Sequence, residues 1–196
     1  MTNTKYRLIS EDYKEILGKK LYRIEALKDF GDVKAGDLGG YIEREDNLSH
    51  DGNAWVYGNA MVRDNAMVRD NAWVYDNTWV YDNAMVGGDA RVYDNARVCD
   101  NARVGDNARV GGDARVGGDA SWLIVGPIGS RDDFTTFFSG KDGIYVSCGC
   151  FYGSISEFEE AVEKTHAGTK HEKDYKLAIA LAKSRIVTAE VDKDEI

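Results

Sequence analysis

The sequence predicts a mainly β chain: a flat-sided coil of short strands, with an N-terminal β cap before it and a small α+β unit after it. Three observations predict this. From Asp51 the chain divides without a gap into twelve hexads, DGNAWV through GGDASW. Residues 51–122 hold 7 Arg and 11 Asp but no Lys and no Glu, the mark of a copied unit. The flanks, 1–50 and 123–196, use all four charged types.

Each hexad carries its own reasons. Ala (once Thr78) holds the fourth place, and Val holds the sixth until Trp122 replaces it. Ala-x-Val is the period-two pattern of a short strand with one buried face. The Asp/Gly–Asn/Asp step before it supplies residues that tolerate left-handed backbone angles, and so forms a corner. Strand and corner alternating every six residues wind a coil with flat sides.

Composition sets the outer limits. The chain has 196 residues, 21 Gly and a single Pro, which does not suit a linker or a collagen-like array. A net charge of −9 argues against direct DNA binding, which calls for a basic footprint. Aromatic content of 11% is too high for a disordered acidic tail. No apolar run approaches the roughly 20 residues of a membrane span. Met1–Glu15 is polar throughout and does not read as a signal peptide. The expectation is a soluble, cytoplasmic protein. Cys99, Cys148 and Cys150 are too sparse for an oxidised framework.

The unbroken Val-x-x-x-Ala-x pattern resembles the hexapeptide-repeat family. That resemblance implies a left-handed parallel β-helix of triangular section, with three hexads per turn. Twelve hexads then make four coils, ~20 Å tall at the usual strand spacing. The register is expected to begin earlier, with Leu48 and His50 in the Ala and Val places and Ile42 one unit before. Every third hexad falls on one side. Side one carries Trp55, Trp73, Arg91 and Arg109, beside Tyr57, Tyr75 and Tyr93. Side two carries Met61, Trp79, Arg97 and Arg115, beside Arg63, Tyr81 and Cys99. Side three carries Met67, Met85, Arg103 and Ser121. All of these are expected to point outward, the arginines screened by corner carboxylates.

Upstream, Lys5–Ile9 and Leu21–Leu27 read as strands, and Gly36, Gly39 and Gly40 lead into the coil. They are expected to cap an otherwise open strand edge. Downstream, Gly126–Gly129 reads as a break, followed by hairpin strands Phe134–Ser139 and Ile144–Tyr152. Ser156-Glu157-Phe158-Glu159 has the form of a capping box. Helices are expected over 157–166, with Phe158, Ala161, Val162 and Thr165 on one face, and over 171–187, with Tyr175, Ala178, Ile179, Ala182 and Ile186. The expected divisions are 1–40, 41–125 and 126–196.

The order of parts resembles a YdcK-like group of bacterial and phage hexapeptide-repeat proteins that carry an acyltransferase label. KYRLISED, IEALKDFGDVKAGDLGGYIE and the first repeats carry that likeness. The tail VSCGCFYGSISEFEEAV with HEKDY is similar to a unit that accompanies such repeats in phage and prophage proteins. The family implies acetyl-CoA as cofactor and a His as general base, for which the chain offers His50, His166 and His171. The twelve hexads extrude no loop, and no His lies between Asp51 and His166. His50 reads first as a structural cap residue.

Cys148, Cys150, His166 and His171 offer the ligand types that zinc prefers, but one residue between the cysteines is short for the common spacings. Buried structural cysteines on one strand with Val146 are the preferred reading, with no metal. The GGDARVGGDA run has glycines at period six, set by corners, and no lysine or helix start of a phosphate loop.

The most informative surface is aromatic and cationic: Trp55, Tyr57, Trp73, Tyr75, Trp79, Tyr81, Arg91, Tyr93 and Arg97. Trp, Tyr and Arg are enriched in binding hot spots. Three uses compete: a homo-oligomer interface (trimer or dimer), a site for a host protein, and a platform for a nucleotide or sugar. The leading expectation is a non-catalytic binding protein of phage type that blocks or sequesters a host component, in an anti-defence role for instance, in the host cytoplasm. The alternative is an acyl-CoA-dependent transferase.

Overall fold

Ala and Val of each hexad turn inward, and every one of these side chains from Ala54 to Val116 is at most 1% exposed. Thr78, standing in an Ala place, donates its hydroxyl to the Tyr75 carbonyl at 2.7 Å, which satisfies the buried polar atom. The computed structural model describes residues 4–117, 122–140 and 143–186. Ser121, most of the twelfth hexad and the expected helix end at 187 lie outside them.

The strands come in chain order. β1 (Tyr6–Ile16), β2 (Lys19–Ala26) and β3 (Leu38–Ile42) precede the coil. β4 to β14 are the two-residue strands Trp55–Val56, Met61–Val62, Met67–Val68, Trp73–Val74, Trp79–Val80, Met85–Val86, Arg91–Val92, Arg97–Val98, Arg103–Val104, Arg109–Val110 and Arg115–Val116. They stack in parallel as three faces, β4-β7-β10-β13, β5-β8-β11-β14 and β6-β9-β12. The result is a β-solenoid of about 4 turns, with the side assignment read from the hexads.

Corners form at the second residue of each hexad. Asp64, Asp70, Asp76, Asp82, Asp94, Asp100 and Asp106 adopt φ between 51° and 60°, or 61° at Asp76, and glycine takes the same place at Gly52, Gly58, Gly88 and Gly112. Asp, Asn and Gly carry the smallest penalty there. The third residue builds ladders: Asn65 donates to Asn83 at 3.0 Å, and Asn83 to Asn101 at 3.4 Å. Asn77 donates to Asn95 and Asn95 to Asp113 in the same way.

The register before Asp51 differs from the expected one. Leu48 bridges Val68, and Ile42 pairs with Val62, so each takes a Val place, twenty residues from its partner rather than eighteen. Ser49–Val56 is therefore two residues longer than a hexad, and His50 lies in that excess rather than in a Val place. Gly40 allows the entry, since a Cβ there would lie 2.5 Å from the Ala60 carbonyl oxygen.

β1 and β2 form an antiparallel hairpin about Leu17 (φ 52°) and Gly18 (φ 76°). β1 runs beyond the expected Ile9 because its second half is a half-exposed, charged edge with weak hydrophobic alternation. β2 pairs with β3, which pairs with β5, so the hairpin extends the second face into a seven-stranded sheet.

The tail is a four-stranded antiparallel sheet of β15 (Trp122–Ile128), β16 (Asp133–Gly140), β17 (Gly143–Cys148) and β18 (Phe151–Ser154). It carries α1 (Ile155–His166) and α2 (Lys170–Arg185). The expected break at Gly126–Gly129 lies mostly inside β15, an edge strand whose register shifts between Val125 and Ile128. The capping box uses Ser154 and Glu157, two residues before the expected pair, because β18 ends there. β16 divides its faces: Phe137 packs with Phe158, Val162, Tyr175 and Ile179, whereas Phe138 joins the solenoid core. Ser139 Oγ donates to the Arg115 carbonyl at 2.7 Å, and Gly140 bridges Ala114, so β16 lies on the last described coil.

Candidate functional site

The aromatic face is built by strand position five and corner position one. Trp73 lies under the Arg91 guanidinium, 5.0 Å from the ring centroid, and edge-on to Tyr57 at 5.5 Å. Tyr75 stacks on Tyr93 at 5.4 Å and 14°. Burial raises the Tyr75 hydroxyl above its ordinary value. The next corner is Gly111, and the Tyr93 ring fills the place where its side chain would stand. On the second face the Arg63 guanidinium sits 4.6 Å over Tyr81, and burial pushes the Cys99 thiol beside it up to about 11.

One member of the expected surface is not on it. Trp55 points away from the coil axis but is 1% exposed. Phe30 meets it edge-on at 5.3 Å and Tyr6 at 6.2 Å, because the Phe30–Val33 turn folds over the first face. Met61 is likewise covered, clustered with Leu21 and Tyr41, and Trp79 is half-buried against them. The tryptophan-rich start of the coil is where the cap sits, whereas Arg91, Arg97 and Arg103 farther along are exposed.

That end carries arginine columns. Arg91 pairs in register with Arg109, and Arg97 with Arg115, one coil apart. Arg91, Arg97, Arg103 and Arg109 are exposed, and neither these four nor the half-buried Arg115 makes an ion pair among the described residues. Among the described residues no corner carboxylate lies within ion-pair distance of them. Asp70 accepts the Gly88 amide at 3.0 Å, Asp76 the Asp94 amide at 3.2 Å and Asp94 the Gly112 amide at 2.8 Å. These bonds turn each carboxylate toward the backbone of the next coil.

The histidines are placed as follows. His50 Nδ1 accepts the Lys5 amide at 3.2 Å, and its ring stacks on Tyr6 at 4.4 Å. His166 ends α1 and His171 begins α2, with ring centroids 5.8 Å apart and His166 5.5 Å from Tyr175. His50 is far in the fold from this pair, at the other end of the coil.

The cysteines do not share a strand. Cys148 ends β17, accepts the Thr135 hydroxyl at 3.1 Å and lies 3.6 Å from Tyr175 Oη. Gly149 turns the chain with φ 61°, and Cys150 is exposed. Cys148, Cys150, His166 and His171 do not gather as one ligand set. The acid–thiol group that does, Asp82, Cys99 and Asp100, is a corner ladder in which Asp82 accepts the Asp100 amide at 3.4 Å.

A small recess, about 160 Å³, opens where β16 meets the coil. Asn107, Arg109, Asp133, Phe134, Thr136, Ser147 and Gly149 line it. No sequence motif marked it, since its residues come from three strands.

Residues 90–106 and 96–112 match the model of the YdcK β-solenoid repeat. The coil is a β-solenoid, and this stretch of it is similar to that repeat. The chain is also 47% identical over 60 residues to the "Uncharacterized acetyltransferase YdcK" of Escherichia coli (strain K12). That stretch is 27% of this chain and spans 18% of the YdcK protein's length. Among the described residues no helix is long and apolar enough to cross a membrane.

Proposed function

We propose that this chain is a rigid, non-catalytic binding scaffold whose arginine columns dock an acidic protein surface. One observation carries the reading. Arg91, Arg97, Arg103, Arg109 and Arg115 stand on flat faces without ion pairs among the described residues, while nearby carboxylates accept backbone amides. Like charges directly opposed across strands destabilise a sheet, so a partner that neutralises them gains what the free protein lacks. The likeness of the tail to phage units supports a host protein as that partner, sequestered in the host cytoplasm. A second copy of the chain, as dimer or trimer, is the competing occupant, and light scattering separates the two.

The test is affinity capture from host lysate with the native chain and with Arg91→Glu/Arg109→Glu. A partner retained by the first, lost by the second and released by salt supports the scaffold. Equal capture by both removes it.

Acyl transfer is the second reading, favoured by the name of the E. coli relative. His50, His166 and His171 are its candidate bases. An acetyl-CoA turnover screen over a broad acceptor set decides it: activity abolished by one His→Ala change establishes the transferase.

A further inference from the structure

The recess beside β16 holds charges of both signs that do not meet. Arg109 stands on its solenoid wall and Asp133 on its sheet wall, and no ion pair joins them. The Arg109 guanidinium has no hydrogen-bond partner among the described residues, and its backbone amide donates to Thr136 Oγ1 at 3.4 Å. Asp133 spends one oxygen, Oδ1, on the Phe134 amide at 2.8 Å, which leaves Oδ2 open. Ser147, 6% exposed, lines the same recess, and its hydroxyl has no partner among the described residues. Its oxygen is not among the buried polar atoms without a partner, so it opens into the recess, where an occupant can bond to it.

Volume limits the occupant. A recess of about 160 Å³ displaces about five waters, well short of the 300–1,000 Å³ typical of drug-sized sites. A nucleotide or coenzyme does not fit within it, whereas a molecule of about six heavy atoms does. A simple anion satisfies Arg109 but faces the Asp133 carboxylate, and a simple cation meets the reverse conflict. A ligand that carries both charged groups on one carbon atom satisfies both walls.

We infer that this recess binds a small free α-amino acid. Its carboxylate pairs with the Arg109 guanidinium, which suits two-point recognition of a carboxylate. Its ammonium faces Asp133 Oδ2, the Ser147 hydroxyl completes the polar contacts, and a short side chain rests on the Phe134 ring. Rigidity comes from the docking of β16 on the coil, through Ser139 Oγ to the Arg115 carbonyl at 2.7 Å. The site shares Arg109 with the arginine columns, whereas Asp133 and Ser147 belong to the recess alone, so Asp133→Asn tests it apart from the scaffold reading.

Titration calorimetry of the full chain with glycine, L-alanine and L-serine tests this, with N-acetyl-L-alanine and L-alaninamide as controls. L-alanine is expected to bind at one site. Loss of either charge is expected to weaken binding about tenfold or more, the usual worth of a hydrogen bond to a charged group. Arg109→Gln and Asp133→Asn are expected to abolish binding with thermal stability unchanged, since neither side chain makes an ion pair or packs in the core. Amide NMR shifts induced by L-alanine at Phe134 and Gly149 place the site. Absence of heat with all three amino acids overturns the inference. So does N-acetyl-L-alanine binding as tightly as L-alanine, which indicates an anion site instead.

Discussion

Lys5 Nζ donates to the Ala54 carbonyl at 2.8 Å, from a side chain with no exposed surface. This bond joins the start of the chain to the first hexad, and the Phe30 ring, 4.9 Å from the ammonium, closes the site. Burial, then repulsion from Lys28, lowers the Lys5 pKa from 10.5 to about 8.

The pH dependence follows in sign. A lysine whose pKa is lower folded than unfolded penalises the folded state while it is charged in both. The penalty is full below about pH 8 and fades as pH rises toward 10.5. Denaturant midpoints are expected to rise over this window for the native chain and to stay flatter for Lys5→Met. The difference between the two isolates Lys5 from tyrosines such as Tyr6, whose raised pKa acts in the opposite direction near pH 10 and above. Parallel curves would remove the assignment.

Trp55 and Trp73 occupy the same hexad place one coil apart, and their truncations are expected to differ. Trp55→Ala should cost about 3–5 kcal/mol, as for a fully buried aromatic. Trp73→Ala should cost about 1 kcal/mol, the worth of its ring contacts. Urea unfolding of both variants measures the gap. The double change Trp73→Asp/Tyr75→Asp should leave the coil folded, because Ala72 and Val74 hold the interior.

At the corners, Asp76 has φ 61° and its carboxylate accepts the Asp94 amide at 3.2 Å. Asp76→Gly keeps the angle and loses the bond. Asp76→Val loses both and is expected to be less stable than the glycine variant by about 1–2 kcal/mol. Equal melting temperatures would show that the corner is not strained by a branched residue.

The arginine columns give a salt signature. Arg97→Gln/Arg115→Gln, an in-register pair, should match or exceed the native chain in stability at low salt, by about 0.5 kcal/mol. The difference should vanish at about 1 M salt, where screening acts over ~3 Å. A large loss of stability in the double variant would mean that these arginines are structural.

The hexads made the coil, its three faces and its inward residues legible, because each buried position recurs with the same chemistry. The places of Leu48 and His50 are not legible in the sequence, because an excess of two residues has no periodic signal. The hexad pattern alone puts Trp55 on the surface, because its cover, Phe30, lies 25 residues away and meets it only when the cap folds. The recess needed Arg109, Asp133 and Ser147 together, and their spacing in the chain reflects strand pairing rather than a local motif. The strand Trp122–Ile128 was hidden by Gly126-Pro127, which an edge strand accommodates.

The constant step of eighteen residues between equivalent side chains, seen from Asn53 to Asn71 and from Asn77 to Asn95, makes the coil a ruler. Each turn bonds to its immediate neighbours, so whole turns are interchangeable units in a nearest-neighbour stack. Removing eighteen residues brings the amino-terminal hairpin and the carboxy-terminal sheet closer by one strand spacing, ~4.8 Å, while preserving every corner. Removing six instead rotates one end against the other by one face. The distance and the angle between the two ends are therefore set separately, by how many turns and how many sides the chain contains.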